Sequence, residues 1–284
     1  MSSGTVALVL IAAAANASWN LVVKRVAGGP TFLLLTSMTS TLILAPLGVA
    51  ALLGWDGLTW RGLAIAVAGT SLIHVVYFVL LQRGYLIGEL SVVYPLARGT
   101  GPLLSAVAAL IFLGERPGAP ALLGGGAIIA GVLGLSGLTL ARLRPDRSVI
   151  YGVTVGATIA AYTLWDRWSV VEVGVPPPTY LWLFSAGYGL LLAPWLVRDP
   201  AEIARTARAH WRAAVTVTVF QAISYLLILE IFKTAPISVV APLRECSILV
   251  AAVLGARLLG ETVTRRKVIS ALTVMAGVAL IAIG

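Results

Sequence analysis

Ten blocks of apolar residues follow one another along this chain, and each is long enough to cross a lipid bilayer once. Short segments with charged residues, prolines or glycines separate them, as at residues 24–30. Because the bilayer core holds no water, a segment that crosses it must satisfy its own backbone hydrogen bonds, which about 20 residues of helix do. The sequence therefore predicts an all-α integral membrane protein with ten transmembrane helices. The predicted blocks are residues 4–23, 31–53, 62–82, 90–113, 119–140, 149–169, 179–197, 212–232, 237–259 and 266–284.

The composition supports this prediction and excludes an ordinary soluble domain. Hydrophobic residues make up 59% of the 284 residues and charged residues 11%, whereas about 25% charged residues is typical of soluble proteins. Ten crossings of about 20 residues each leave loops too short to form a domain outside the membrane. We therefore expect the lipid bilayer to surround nearly the whole protein.

The net charge of +9 is spread over the short segments between the apolar blocks. It forms no basic run of the kind that binds nucleic acid, so nucleic acid is not an expected partner. Lysine and arginine favour the cytoplasmic side of membrane proteins. Fourteen lysine and arginine residues follow odd-numbered blocks and four follow even-numbered blocks. The segments after odd-numbered blocks are therefore predicted to be cytoplasmic, which places both termini outside the cytoplasm. The four are Arg61, Arg116, Arg167 and Lys233.

Neither a disulfide framework nor a metal site is predicted. Cys246 is the single cysteine and lies within an apolar block, where an inert packing role is expected. His74 has only one fellow histidine, His210, which falls in a predicted loop. The sequence also lacks the glycine-rich loop with lysine that binds the phosphates of ATP. We expect no cofactor.

The two halves of the sequence match when one is shifted by 146–148 residues. The matches keep the same order through most of each half, which indicates an internal repeat. We therefore divide the chain into a first repeat at 1–143 and a second repeat at 144–284, each with five predicted helices. The matching segments are 15–20 with 161–166, 30–33 with 178–181, 44–46 with 192–194, 91–96 with 238–243, and 113–115 with 259–261.

An odd number of helices in each repeat means that the second repeat enters the membrane inverted relative to the first. Inverted repeats are typical of secondary transporters, whose substrate site lies near the middle of the membrane. Two nearly equivalent packings of the repeats then open a central cavity to one side or to the other. The pattern thus indicates a transporter that works by alternating access.

The chain carries the pairs Trp19-Asn20 and Trp165-Asp166, two Ser-Val-Val-x-Pro-Leu segments and two Leu-Gly-Glu endings. In these features it resembles the EamA-type permeases of the drug/metabolite transporter superfamily. Within that superfamily it is similar to the bacterial aromatic amino acid exporters (YddG-type). The resemblance implies ten helices around a central cavity in a multi-pass protein of the bacterial inner membrane.

Polar side chains inside the predicted helices are candidates for the cavity wall, because they are costly to expose to lipid. Several recur at helical spacing on one face of the third helix, and the repeat aligns them with polar and aromatic residues of the eighth. Packing between helices through buried hydrogen bonds is the alternative role. The candidates are His74, Tyr77, Phe78, Gln221, Ser224 and Tyr225.

Two further rings are candidates, because flat rings can stack on a ring-bearing substrate. They belong to Tyr94 and Trp165. Asn20 and Asp166 each follow a tryptophan and could hold an α-amino group or orient a basic partner. Anchoring of the tryptophans at the membrane interface is the alternative.

Two arginines, which the repeat aligns, lie just after prolines within the predicted helices. Proline removes a backbone hydrogen bond and bends a helix, so both helices are predicted to kink. Each guanidinium could bind a substrate carboxylate, or it could pair with a membrane carboxylate and act as a gate. The kink positions are Pro95 and Pro242, and the gate candidates are Asn20, Arg98, Asp166, Arg244 and Glu245.

Two patterns predict packing rather than transport. Gly126, Ala130 and Gly134 recur at four-residue spacing in the fifth helix, which lets a neighbouring helix approach closely. Glu115 and Glu261 end the fourth and ninth helices at aligned positions, where we expect them to cap or hold helix ends.

The sequence thus favours a secondary exporter of small metabolites, with amino acids that carry aromatic or other apolar side chains as the expected substrates. We expect a monomer rather than an obligate dimer. A proton-coupled exporter of drugs or cationic compounds is the first alternative. A membrane-embedded enzyme or a receptor is the second, and the sequence lacks the paired acid–base or metal-ligating groups that such an enzyme needs.

Overall fold

The computed structural model describes residues 3–26, 29–135, 146–196, 200–250 and 264–283, and regular structure in these ranges is entirely helical. Most helices begin and end within a few residues of the predicted apolar blocks. The helices are α1 (Ser3–Val26), α2 (Gly29–Leu53), α3 (Trp60–Ile87), α4 (Leu90–Phe112), α5 (Ala119–Leu135), α6 (Arg147–Val171), α7 (Pro177–Leu196), α8 (Pro200–Ile231), α9 (Ile237–Arg244) and α10 (Arg265–Ile283).

Seven helices in the described ranges are long and apolar enough to cross a membrane: α1, α2, α3, α4, α6, α8 and α10. The fifth helix is apolar as well but shorter, with 17 residues. Length and composition together fit an all-α membrane protein. The full count of ten crossings stays a prediction.

Helix α8 begins well before the predicted block, at Pro200 rather than near residue 212. The prediction was wrong because arginines at 205 and 208 suggested a loop, yet they lie within the helix. Proline suits the first turn of a helix, and Glu202 in that turn complements the positive end of the helix dipole. The basic segment before the apolar block is therefore helical.

The predicted ninth block is not one continuous helix. Helix α9 ends at Arg244, a turn covers Glu245 and Cys246, and helix resumes over 247–250. The amides of Glu245 and Cys246 each bond to a carbonyl three residues earlier, at 3.0 and 3.1 Å, which is the tighter 3₁₀ pattern. In contrast, α4 runs unbroken through Pro95. The remainder of the predicted block, 251–259, lies outside the described residues.

The chain divides into two compact units, and each combines segments of both sequence repeats. Unit 1 comprises Met1–Ala13, Val76–Leu164 and Thr234–Gly284, and unit 2 comprises Ala14–Val75 and Trp165–Lys233. Helices α1, α3 and α6 contribute residues to both units. The compact units therefore differ from the two predicted repeats, and each unit contains helices from both halves of the chain.

In unit 1, helices α5 and α10 meet through small residues. A Cβ added to Gly124 would lie 2.6 Å from the carbonyl oxygen of Gly277, and one added to Gly131 would lie 2.8 Å from that of Ser270. Such backbone approach is what small residues permit between membrane helices. The predicted packing role of the fifth helix is confirmed, and Gly134 of the predicted row also meets Ser270 of α10, whereas Gly126 faces open space.

Glu115 caps the N-terminus of α9 within unit 1. Its carboxylate accepts hydrogen bonds from the backbone N–H groups of Ile237 and Ser238, both at 2.9 Å, and from the Ser238 hydroxyl at 2.6 Å. The first turn of a helix has unsatisfied N–H groups and a positive dipole end, which a carboxylate satisfies. The expected helix-holding role of Glu115 is confirmed, while Glu261 lies outside the described residues.

In unit 2, buried hydroxyl groups join α2 to α7 and α8. The Ser37 hydroxyl donates to the backbone carbonyl of Ser185 at 2.7 Å. Ser40 and Thr218 share a hydrogen bond of 3.0 Å between their hydroxyl groups. Hydrogen bonds of this kind are a common means of fixing helices against one another inside a membrane.

Candidate functional site

The residues predicted to line a cavity or form a gate fall in both units. Unit 2 contains Asn20, His74, Trp165, Asp166, Gln221, Ser224 and Tyr225. Unit 1 contains Tyr77, Phe78, Tyr94, Pro95, Arg98, Pro242, Arg244 and Glu245.

Asp166 is the centre of a buried polar cluster in unit 2. Its side chain is 2% exposed, and one oxygen accepts hydrogen bonds from the hydroxyls of Thr70 at 2.9 Å and Tyr180 at 2.6 Å. The other oxygen accepts a short hydrogen bond from the Tyr225 hydroxyl. Helices α3, α6, α7 and α8 thus converge on one carboxyl group.

His74 lies one turn after Thr70 on α3 and joins the same cluster. Its Nδ1 atom is 2.9 Å from the backbone carbonyl oxygen of Thr70 and 3.3 Å from the Thr70 hydroxyl oxygen. A carbonyl oxygen only accepts hydrogen bonds, so Nδ1 carries a hydrogen. His74 also interacts electrostatically with Asp166.

Aromatic rings stand beside this polar cluster. The His74 and Phe184 ring centroids are 4.4 Å apart, and Phe184 and Tyr225 stack at 6.1 Å with a 20° angle between their planes. Tyr188 extends the row, with its centroid 5.9 Å from that of Phe184. Offset stacking of this kind stabilises the rings in fixed positions and builds an aromatic surface next to Asp166.

Trp165 is held firmly against α3. Its indole N–H donates to the backbone carbonyl of Ala66 at 2.9 Å, and the ring packs so closely on Gly69 that no side chain fits there. The other indole neighbour is Trp168, at 5.0 Å between centroids. The indole donor is therefore used within the protein, and only the ring surface of Trp165 could serve a substrate.

Asn20 is engaged by its own helix rather than by a charge. Its side-chain amide donates to the backbone carbonyl of Asn16 at 2.7 Å, and the indole N–H of Trp19 donates to the Asn16 side chain at 3.1 Å. Trp19 packs against the apolar cluster around Phe32. The aligned residues Asn20 and Asp166 thus have different surroundings.

Gln221 and Ser224 lie on α8 close in sequence to Tyr225. Gln221 is half-buried and Ser224 is buried. Residues 221 and 225 are four apart and so share a helix face. The predicted face of α8 therefore carries an amide one turn before the Tyr225 hydroxyl.

Unit 1 contains a second charged cluster, around Arg98. The Nε atom of Arg98 is 3.6 Å from a carboxylate oxygen of Glu245, the residue that begins the turn after α9. Glu245 is 6% exposed, and that oxygen has no hydrogen-bond partner among the described residues. The guanidinium also lies over the ring of Tyr94, 5.9 Å from its centroid.

Tyrosine rings surround this arginine. Tyr77 meets Tyr162 edge to face at 6.1 Å between centroids, and both interact electrostatically with Arg98. Tyr94 is 44% exposed, while Phe78 is buried. The first-repeat candidates thus form a partly exposed aromatic group with one ion pair.

Three remaining candidates lie on the helices next to this cluster. Pro95 and Pro242 are buried within α4 and α9, and Gly125 of α5 packs against Pro242, where a Cβ would lie at 3.4 Å. Arg244 is half-buried and is the last residue of α9. The predicted kink in the ninth helix therefore coincides with the end of α9, while Pro95 leaves α4 continuous.

The residues of these clusters that were not singled out from the sequence include Thr70, Tyr162, Tyr180, Phe184 and Tyr188. Tyr180 could have been found, because the repeat aligns it with Phe32, so the second copy alone carries a hydroxyl at that position. Within the described residues, no group of three or more His, Cys, Asp or Glu side chains is placed to hold a metal ion.

Comparisons with known proteins agree with this architecture. A solved crystal structure superposes with a TM-score of 0.73 at 18% identity, covering 99% of this chain and 96% of the other, and shows a shared fold. No curated protein matches the chain. The sequence profile described as the EamA-like transporter family matches residues 146–283. The second half of the chain is thus similar to EamA-like transporters, which indicates a membrane transporter of small molecules.

Proposed function

We propose that the protein is a secondary permease that exports small zwitterionic metabolites, with aromatic or other apolar amino acids as the substrates. The observation that carries the proposal is the similarity of residues 146–283 to EamA-like transporters. We assign the protein to the bacterial inner membrane and propose that it works without catalysing a reaction.

The substrate class follows from the aromatic surface of unit 2. The adjoining rings of His74, Phe184 and Tyr225 suit a flat apolar side chain. The ring of Trp165 precedes Asp166 in the chain and is proposed to contribute to the same surface. Gln221 and Ser224 add neutral polar groups on α8 for the ends of a zwitterion. Tyr77, Phe78 and Tyr94 are proposed as further cavity residues.

The ion pair of Arg98 with Glu245 is proposed as a gate. An ion pair in a membrane protein is costly to separate unless each charge finds another partner, so a substrate carboxylate that binds the guanidinium could release Glu245. The turn at Glu245 and Cys246 interrupts the helix at this point, which supports local movement. Arg244 and Pro242 lie in the same segment, α9, and Pro95 lies at the aligned position in α4.

We further propose that the two repeats are inverted and exchange between outward-open and inward-open packings. The sequence repeat supports this proposal, and so does the hydrogen bond between the aligned residues Ser37 and Ser185. In the inward-open state each repeat then adopts the packing that the other repeat has in the outward-open state. Because one chain contains both repeats, a monomer suffices for transport.

Tracer efflux from proteoliposomes tests the proposal. We expect an aromatic amino acid to leave faster than from protein-free vesicles, and Tyr77→Ala and Tyr225→Ala to slow this efflux while the protein stays folded. Phe220→Ala is the matched control, because Phe220 lies on α8 near Tyr225 but is 37% exposed. Unchanged efflux in both tyrosine variants would contradict the assigned surface.

A proton-coupled exporter of lipophilic cations is the second candidate. The buried Asp166 carboxyl next to aromatic rings favours it, because such a group can hold a cation. The same vesicles, loaded with a lipophilic cation instead of an amino acid, separate the two candidates. Efflux of the cation alone would replace the amino acid proposal.

A further inference from the structure

We propose that Asp166 is the proton-coupling site of this transporter, and that it exchanges its proton with His74 through the hydroxyl group of Thr70. The inference rests on the proposed transport function and assigns the ion that drives it.

The hydroxyl partners of Asp166 fit both of its protonation states. A hydroxyl group can donate to a carboxylate or, after rotation, accept from a carboxylic acid. The bonds at 2.9 and 2.6 Å can therefore persist when a proton binds. The groups facing the carboxyl are Thr70 and His74 on α3, Tyr180 on α7 and Tyr225 on α8; Arg167, its neighbour on α6, lies 3.5 Å from Glu172.

Glu245, the buried carboxylate of unit 1, has a different partner. Arg98 lies 3.6 Å away, and a guanidinium has only donors and keeps its charge at every physiological pH. Protonation of Glu245 would leave that charge unpaired in an apolar setting. The chemistry of the partners thus points to Asp166, not Glu245, as the group that binds and releases protons.

The Thr70 hydroxyl bridges the two titratable groups. It is 3.3 Å from His74 Nδ1, which carries a hydrogen, and 2.9 Å from an oxygen of Asp166. Starting from imidazolium and carboxylate, His74 passes its Nδ1 proton to the Thr70 oxygen while the Thr70 proton moves to Asp166. The products are a carboxylic acid and a neutral imidazole with its hydrogen on Nε2, so charge and atoms balance. In this state the hydrogen bond from Nδ1 to the Thr70 carbonyl is broken, and the Thr70 hydroxyl donates to Nδ1 instead. Histidine suits this role, because its charge changes between about pH 5 and pH 8.

Infrared difference spectroscopy of the purified protein tests the site without any substrate. As the pH is lowered, we expect a carbonyl band of a protonated carboxyl to appear in the wild type and to be absent from Asp166→Asn. Glu172→Gln is the control, because Glu172 is an exposed carboxylate near the same end of α6, and it should keep the band. Tyr225→Phe should shift the midpoint of the band. A band that survives Asp166→Asn, or is absent from the wild type, would overturn the proposal.

Proton movement measured with a pH dye inside proteoliposomes tests the coupling. We expect substrate efflux by the wild type to move protons in a fixed ratio, and this ratio to fall to zero in Asp166→Asn whatever rate of efflux remains. A ratio unchanged from the wild type would refute the inference while leaving transport intact. If no amino acid moves but the Asp166 band titrates, the transport proposal fails and the proton site stands.

Discussion

Ser37 of α2 donates a hydrogen bond of 2.7 Å to the backbone carbonyl of Ser185 of α7, and the two residues are 148 positions apart. That separation is the shift that aligns residues 30–33 with 178–181, so the bond joins two residues that the sequence match aligns. Equivalent residues meet where two copies pack through the same surface, as at a two-fold axis. A contact of this kind between α2 and α7 is what the proposed repeat leads us to expect.

The Glu115 cap should contribute measurably to stability. Glu115→Ala removes the acceptor of the Ile237 and Ser238 N–H groups, so we expect a loss of about 0.5–2 kcal/mol, as for other helix caps. Thermal unfolding in detergent measures it. Glu230→Ala is the control, because Glu230 is exposed and pairs only with its neighbour Lys233 among the described contacts. Equal melting temperatures for the two variants would show that the cap contributes nothing.

The contact between α5 and α10 should tolerate no added carbon. In Gly124→Ala the new Cβ would lie 2.6 Å from the backbone oxygen of Gly277, and we expect overpacking to cost about 1–3 kcal/mol. Gly126→Ala is the matched control two residues along, where nothing lies within 4 Å. Melting temperatures of the purified variants should fall for the first and stay near wild type for the second. The reverse order would mean that α5 presents its other face.

Gly69 should be required for the position of the Trp165 ring. A side chain at residue 69 would clash with the indole, so Gly69→Ala should displace the ring, weaken its bond to Ala66 and lower both stability and flux. A smaller ring relieves the clash, so the double variant Gly69→Ala, Trp165→Phe should melt at a higher temperature than Gly69→Ala alone. If the double variant melts no higher than Gly69→Ala alone, residue 69 does not act through the position of the Trp165 ring.

Arg98 and Glu245 should act as a pair. We expect Arg98→Ala and Glu245→Ala each to reduce flux, and the double variant to lose less than the sum, with a coupling of about 1 kcal/mol or more. Lys24→Ala is the comparison for Arg98→Ala, because Lys24 lies in the last turn of α1, and it should have the smaller effect. Additive losses in the cycle would argue against a gate that depends on this ion pair.

Helix positions could be predicted from the sequence because apolar length determines where a chain can lie in lipid. The start of α8 was not predicted, since the arginines before its apolar block are compatible with either a loop or a helix at the membrane surface. A kink was predicted at both Pro95 and Pro242, which look alike in sequence. The sequence did not reveal that only the helix with Pro242, α9, ends nearby.

The candidate clusters depend on which helices meet, and spacing along one helix does not reveal that. His74 and Asp166 were found because polar residues are rare in apolar blocks. Their connection through Thr70 was not, because a threonine in a membrane helix carries little signal. The alignment of Asn20 with Asp166 suggested equal roles, yet Asn20 bonds to Asn16 of its own helix. Asp166, in contrast, bonds to residues of three other helices, and these partners distinguish its surroundings from those of Asn20.

Cysteine labelling at aligned positions tests whether two copies of one five-helix unit lie in the membrane in opposite orientations, as we propose. Leu53 at the end of α2 and Ala201 at the start of α8 are exposed and aligned by the same 148-residue shift. In a protein with Cys246→Ala, we predict that a membrane-impermeant reagent labels Leu53→Cys in intact cells and Ala201→Cys only after permeabilisation. Labelling of both positions from the same side would contradict the inverted repeat.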